Sequence, residues 1–329
     1  MKRPIARLAA TAHAVPKRVF TNDDFASIGV ETSDEWIRER TGIRQRFVAG
    51  EGETLTSLCT EAARKAMALA GVTASELDLI ILGTASPDRL LPATAVEVQA
   101  ALGASRAVAF DLDAACSGWL YSCQVAEGLI ATGGYETVLV IGGEVLSRII
   151  NWKDRNTCVL FGDGAGATII KRSTKHRGIL SAYMRSDGTL ADLLQRPKGA
   201  GACPMTNEIL AEGSHFITMA GREVFKNAVR SMADAADRAL DGAKLSSSDI
   251  DLLIPHQANI RIIEATAKHA NIPMEKVFVN VDRYGNTSAA SIPIALSEAQ
   301  AQGLVKEGST VMFVAFGAGF TWGSMIARF

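Results

Sequence analysis

Several things are scarce in this sequence, and each scarcity excludes a class of function. The five cysteines (Cys59, Cys116, Cys123, Cys158 and Cys203) are odd in number and form no C-x-x-C pair. They indicate neither a disulfide framework nor a zinc site, so no metal is expected. A reducing, cytoplasmic setting fits free thiols best. No window approaches the roughly 18 uninterrupted apolar residues of a membrane span. The stretch following Met1-Lys2-Arg3-Pro4 is too short and interrupted for a signal peptide. There is no Lys/Arg run and no basic-aromatic stripe. With 34 basic and 35 acidic residues the net charge is −1, so no global field draws the chain to nucleic acid or a membrane surface.

What is present is a large apolar fraction, 48% of 329 residues against 21% charged. That suits two ordinary domains or one large duplicated one. A duplication is visible. Ala62-Ala63-Arg64-Lys65-Ala66 recurs as Ala235-Ala236-Asp237-Arg238-Ala239, and 235 − 62 = 173. Ser75-Glu76-Leu77-Asp78-Leu79-Ile80-Ile81 recurs as Ser248-Asp249-Ile250-Asp251-Leu252-Leu253-Ile254, again at 248 − 75 = 173. Thr137-Val138-Leu139-Val140-Ile141 matches Thr310-Val311-Met312-Phe313-Val314 at the same offset, 310 − 137. Each copy reads as an Ala-rich helix, a polar turn and a buried strand. The expected halves are 1–172 and 173–329, each a sheet covered on both faces. Back to back they give a five-layer α/β/α/β/α sandwich, with a shared site at matching strand ends.

Three strand ends carry chemistry. Val108–Leu112 reads as a strand leading through Asp113-Ala114-Ala115 to Cys116, where a helix opens. The positive end of that helix would favour a thiolate, although a buried core cysteine is an equal reading of the segment. Cys59, Cys123 and Cys158 fall inside helix or strand patterns, and Cys203 lies in a Gly/Pro-rich loop. In the second copy, Val277–Val281 reads as a strand leading to Asn286, near the place that Cys116 holds in the first. An N-cap is the plainer role for Asn286. Leu252–Ile254 ends in Pro255-His256. A histidine there faces the crevice where ligands gather in parallel sheets, or is structural. His13, His176, His215 and His269 lack such a position. Taken together, a thiol could hold an acyl group. The imidazole and the carboxamide could donate hydrogen bonds to a developing enolate.

Gly162-Asp163-Gly164-Ala165-Gly166-Ala167 satisfies G-x-G-x-x-A. That pattern needs a following helix, whereas Thr168-Ile169-Ile170 reads as a strand. A nicotinamide site is not expected, and a tight turn is. Phe316-Gly317-Ala318-Gly319-Phe320 reads as the related turn in the second half.

With these motifs in place, the chain resembles the β-ketoacyl-acyl carrier protein synthase III family, condensing enzymes of the thiolase superfamily. The resemblance rests on Thr32-Ser33-Asp34-Glu35-Trp36-Ile37, Arg40-Thr41-Gly42-Ile43-Arg44, Ala114-Ala115-Cys116-Ser117-Gly118 and the Phe161–Ala167 glycine segment. It continues through Pro255-His256-Gln257-Ala258-Asn259-Ile260-Arg261, Gly285-Asn286-Thr287-Ser288-Ala289-Ala290-Ser291 and Phe320-Thr321-Trp322-Gly323. It implies a thiolase-like duplicated fold and a Cys116-His256-Asn286 triad. It implies an oxyanion hole of backbone amides at Cys116 and Ala318. Trp36, Arg40 and Arg155 would meet coenzyme A, and Lys226, Gln257 and Arg261 the acidic carrier protein. Leu91 and Phe316 would line the acyl pocket. The implied reaction is decarboxylative condensation of an acyl-coenzyme A primer with malonyl-acyl carrier protein, by a cytoplasmic homodimer. It starts fatty acid synthesis and needs no cofactor beyond the coenzyme A thioester substrate. Leu91 stands where a phenylalanine often closes the acyl pocket across the dimer, so primers longer than acetyl are expected. Ala318 replaces a frequent glycine. Other readings are a specialised relative acting in secondary metabolism and a catalytically silent carrier-protein binding module.

Overall fold

The computed structural model describes residues 5–173 and 177–329. Residues 1–4, where the segment read for a leader begins, and His176 lie outside the described residues. The expected break near residue 172 falls beside residues 174–176, which also lie outside.

The first sheet contains β1 (Ala6–Ala14), β2 (Leu79–Gly83), β3 (Val108–Leu112), β4 (Thr137–Glu144) and β5 (Gly164–Arg172), in the order β1-β5-β4-β2-β3. The second contains β6 (Gly178–Ser186), β7 (Leu252–Pro255), β8 (Thr310–Gly317) and β9 (Thr321–Arg328), in the order β7-β8-β9-β6. The pairing sense repeats. β2 runs parallel to β4, and β5 is antiparallel to both β4 and β1. Likewise β7 runs parallel to β8, and β9 is antiparallel to both β8 and β6.

Seven helices matter here: α1 (Asp34–Thr41), α2 (Leu55–Ala70), α3 (Thr94–Leu102), α4 (Gly118–Ala131), α5 (Gly221–Ala243), α6 (Ile260–His269) and α7 (Ser291–Ala301). In α2 the alanines at 62, 63 and 66 fall on one face at helical spacing. They bury against Ile80, Leu82, Leu139 and Ile141 of the first sheet. Their counterparts in α5, Ala235, Ala236 and Ala239, bury against Leu253, Met312 and Val314 of the second. Between the sheets lie α4 and α7, whose Trp119, Cys123, Ile292 and Leu296 fill the space from Ile81 and Val140 to Ile254 and Phe313. These are the five layers.

The copies agree in detail. Capping boxes at Thr73/Glu76 and Ser246/Asp249 precede β2 and β7, at 246 − 73 = 173. The central helices start at Gly118 and Ser291, 291 − 118 = 173. Just before them Ala115 (φ 45°) and Ser288 (φ 49°) both take the left-handed conformation, at 288 − 115 = 173. A side chain there costs roughly 1 kcal/mol or more, so two such residues at one offset mark a shared turn design.

Three expectations need correction. Val277–Val281 is not a strand: only an isolated bridge joins Val277 to Leu253, and a short helix starts at Val281. Strand β3 therefore has no partner strand in the second sheet. At the 173 offset the mate of Cys116 is Ala289, and Asn286 stands three residues earlier (289 − 286). The Gly164–Ala167 segment is no turn but part of β5. Its glycines admit close neighbours, since a Cβ at Gly166 would lie 2.6 Å from Pro293. Asp163 accepts from the N–H groups of Ala49 and Ser147 and from the Ser147 hydroxyl. Of the turn expected at Phe316–Phe320, Phe316 and Gly317 belong to β8, and residues 318–320 join β8 to β9.

The halves come close at Gly142, where a Cβ would fall 2.1 Å from the carbonyl oxygen of Ala289. Backbone cannot yield there as a side-chain tip can, so Gly142→Ala should cost about 3 kcal/mol and lower the melting temperature. Gly128→Ala, on α4 with no atom within 4 Å, should instead stabilise by up to about 1 kcal/mol. Calorimetry of both variants checks the contrast.

Candidate active site

Each of the three expected side chains sits where its element stops. Cys116 lies in a 3-10 turn, Ala115–Ser117, that the left-handed Ala115 tips toward the second half. A Cβ at Gly317 would come within 2.6 Å of the Cys116 nitrogen, so glycine there is required for the turn to approach β8. His256 follows β7, fixed by its N–H donating to the Val314 carbonyl at 2.7 Å. Asn286 is held by its own N–H to the Leu160 carbonyl and by the Gly162 N–H to its carbonyl. It is no N-cap: its Oδ1 accepts from the Ser288 N–H at 2.9 Å, closing a local turn. The amide nitrogen remains as a donor.

Cys116, His256 and Asn286 line one cavity of about 110 Å³ together with Phe316, Phe225, Asn259 and Ile262. Cys116 also lines a second cavity of about 100 Å³, walled by Ala85, Leu146, Ile149, Ile217, Ser288 and Ala318. Cys116 lines both, as do Phe161 and Leu194. Ala318, in the turn after β8, lines the second cavity with Cys116.

The electrostatics differ from the expectation of a thiolate. Burial pushes the Cys116 thiol up to about 12, and the α4 helix begins two residues later, at Gly118. Burial drives His256 down to about 3, so its imidazole is neutral. Its Nδ1 lies 2.6 Å from the Ser291 hydroxyl. That hydroxyl already accepts from the Gln257 N–H at 3.4 Å, and a buried O–H needs an acceptor of its own. Nδ1 supplies one, which puts the ring proton on Nε2 and makes it a donor.

Two family models match the chain, described as 3-oxoacyl-[acyl-carrier-protein] synthase III over residues 110–188 and its C-terminal part over residues 240–329. A β-ketoacyl-[acyl-carrier-protein] synthase III from Symbiobacterium thermophilum is 51% identical, with 99% of this chain and 98% of that one covered. Another from Roseiflexus castenholzii is 50% identical over 98% of each. The crystal structure of 3-oxoacyl-[acyl-carrier-protein] synthase III from Aquifex aeolicus VF5 superposes with a TM-score of 0.92 at 47% identity, covering 98% of this chain and all of that one. The chain belongs to the β-ketoacyl-[acyl-carrier-protein] synthase III family. It is an acyl-transferring, condensing enzyme with the thiolase fold.

Other residues expected of a synthase III fall into place unevenly. Trp36 is flanked by guanidinium groups, Arg40 at 4.4 Å and Arg155 at 4.6 Å from its ring centroid. Asn259 Nδ2 donates to the Arg40 carbonyl, tying α1 to the loop after His256. Lys226 and Arg261 are exposed, each next in sequence to a residue lining the first cavity, Phe225 and Ile262. Gln257 must be corrected. It is 1% exposed, its Nε2 donates to the Pro255 and Phe278 carbonyls, and its Oε1 accepts from the N–H groups of Asn280 and Val281. It braces the His256 loop and has no face for a partner. Leu91 is 86% exposed and lines neither cavity of its own chain, so a place in an acyl pocket would require a second copy. Phe316 lines the first cavity with Cys116, His256 and Asn286. Leu146, Ile149 and Ile217 were missed because nothing in the sequence marks aliphatic residues as lining. Glu144, Ser288 and Ser291 were missed as well. Only Glu144 left a signal: it is the one charged residue ending a wholly buried strand.

Since the folded pKa of His256 lies below that of a free imidazole, the unfolded chain protonates first. Stability should therefore be lost as pH falls from about 6.5 toward 3. Between pH 7 and 5 the wild type should lose about 2 kcal/mol more than His256→Asn. Urea denaturation at the two pH values measures the difference.

Proposed function

We propose that Cys116 takes an acyl group from a coenzyme A thioester and that His256 and Asn286 then drive its condensation with malonyl-acyl carrier protein. The observation that carries this reading is that Cys116 lines two cavities, only one of which holds the donors. The acyl chain would occupy the aliphatic second cavity. The first, opening beside α5 and α6, would admit the thioester arms.

In the first half-reaction the sulfur attacks the thioester carbonyl carbon, and the oxygen takes negative charge beside the Cys116 and Ala318 amides. The bond to the coenzyme A sulfur breaks and leaves an acyl-cysteine. In the second, a malonyl thioester loses CO2, and the electron pair of the broken bond becomes an enolate. Its oxygen receives hydrogen bonds from His256 Nε2–H and the Asn286 amide. The enolate carbon attacks the acyl carbonyl and expels the Cys116 sulfur. No cofactor beyond the coenzyme A thioester is required by these steps.

The flanked indole of Trp36 offers a flat stacking surface with two cations beside it, suited to an adenine nucleotide. Lys226 and Arg261 would meet an acidic carrier protein at the mouth. A homodimer is supported by β3, a sheet edge with Val108 half exposed, and by the exposed Leu90 and Leu91, which a second copy would cover. A cytoplasmic location fits the free cysteines. Among the described residues no helix is long and apolar enough to cross a membrane.

Intact mass after acyl-coenzyme A treatment should show one adduct, mapped to Cys116. An adduct chiefly on Cys59, Cys123, Cys158 or Cys203 would defeat the assignment. His256→Ala and Asn286→Ala should still accept acyl but release CO2 from malonyl thioester about 100- to 1,000-fold more slowly. Loss of acylation with decarboxylation kept would reverse the roles.

Docking through opposite charge weakens with salt. Arg261→Glu should therefore raise the KM for malonyl carrier protein and leave acylation by coenzyme A thioesters nearly unchanged. Steady-state kinetics at two ionic strengths tests it, and equal damage to both half-reactions would refute a docking role.

A further inference from the structure

The steps above leave the first proton unassigned and one buried acid without a task. Cys116 must lose a proton before or as it attacks. His256 is badly placed to take it, with Nδ1 held by Ser291 and Nε2 already protonated. Glu144 ends β4, is fully buried, and has no Lys or Arg partner among the described residues. Four groups donate to its carboxylate instead. They are the hydroxyls of Ser86 at 2.5 Å, Thr84 at 3.2 Å and Ser288 at 3.0 Å, and the Ala85 N–H at 3.2 Å. Ser86 Oγ accepts from the Val145 N–H, and Thr84 Oγ1 from the Ser86 N–H, so the protons of these hydroxyls are free to face the acid. Ser288 is the link: its hydroxyl donates to Glu144 Oε1 at 3.0 Å, and it lies beside the Cys116 thiol, on whose protonation it acts. Cys116, Ser288 and Ala85 share the wall of the second cavity.

We propose that Glu144 accepts the Cys116 proton through the Ser288 hydroxyl during acylation. This rests on Cys116 being the acylated residue. As sulfur bonds to the thioester carbon, its proton passes to Ser288 Oγ while the Ser288 proton passes to Glu144 Oε1. The coenzyme A thiolate leaves and is protonated from water. Glu144 holds its proton through the acyl-enzyme stage. When condensation expels the Cys116 thiolate, the proton returns along the same path and the site is reset.

The groups that act on Glu144 are few. Asp113, on the loop before Cys116, raises its pKa, as burial does more strongly, while the hydroxyl and amide donors lower it. The other titratable neighbours are the thiols of Cys116 and of Cys59 on α2, the latter also under Asp88 and Asp111. The balance leaves the carboxyl at about 7, a value matched to proton transfer near neutrality.

The test is single-turnover acylation by acetyl-, isobutyryl- and octanoyl-coenzyme A from pH 5.5 to 9, followed by intact mass and peptide mapping. The wild-type rate should rise with pH through an inflection near 7 and level off. Glu144→Gln keeps the size and an acceptor oxygen. It should slow acylation about 100-fold at pH 7.5 and abolish the inflection. Ser288→Ala should do the same with Glu144 intact, and Glu144→Asp should restore the inflection at reduced rate. If Glu144→Gln fails to fold, Ser288→Ala decides. A wild-type profile kept in Ser288→Ala or in folded Glu144→Gln, with the adduct on Cys116, overturns the relay. An adduct on another cysteine overturns the Cys116 reading itself.

Discussion

The structure depends on a reciprocal close approach between its two halves. Gly142 of β4 meets the backbone at Ala289, and Gly317 of β8 meets the backbone at Cys116. Since 289 − 116 = 173, each half presses a strand glycine against the same turn of the other. A methyl group at either glycine would collide with main chain, which cannot swing aside. The contact fixes where the central helices begin, and so where the sulfur stands relative to His256 and Asn286.

From that constraint the division of the site follows. The turn bearing Cys116 comes from the first half, and the donors come from the second, so neither half holds the chemistry alone. Burial then sets the protonation states. It keeps the imidazole neutral and the thiol protonated, because a charge taken out of water without a partner is costly. A neutral imidazole whose proton is on Nε2 suits hydrogen bonding to an enolate better than it suits taking a proton. The buried carboxyl of Glu144, surrounded by hydroxyls rather than cations, is the complementary group.

The surface residues proposed to meet coenzyme A and the carrier protein are separated from this core. Trp36, Arg40 and Arg155 form a stack held by α1 and the Asp154-capped turn. Lys226 and Arg261 project from α5 and α6. Loops and helix faces of this kind can change charge without disturbing the contact between the halves.

The sequence by itself determined the duplication, the five layers and the three residues Cys116, His256 and Asn286, two of which follow strands. Those signals are local or periodic: apolar runs, alanines at helical spacing, and polar residues where a buried strand stops. It did not reveal that Val277–Val281 lacks a sheet partner, because strand pairing is a property of neighbours rather than of propensity. It misplaced Gln257 as a surface residue, since a polar side chain in a loop looks exposed until its four backbone partners are known. The lining of the second cavity was likewise settled only by the fold, which decides what faces a void. Burial of the Cys116 thiol, which raises its pKa, also comes from the surrounding shell that only the fold assembles. Glu144 and Ser288 lie 144 positions apart in the chain, and only tertiary packing could bring them to one sulfur.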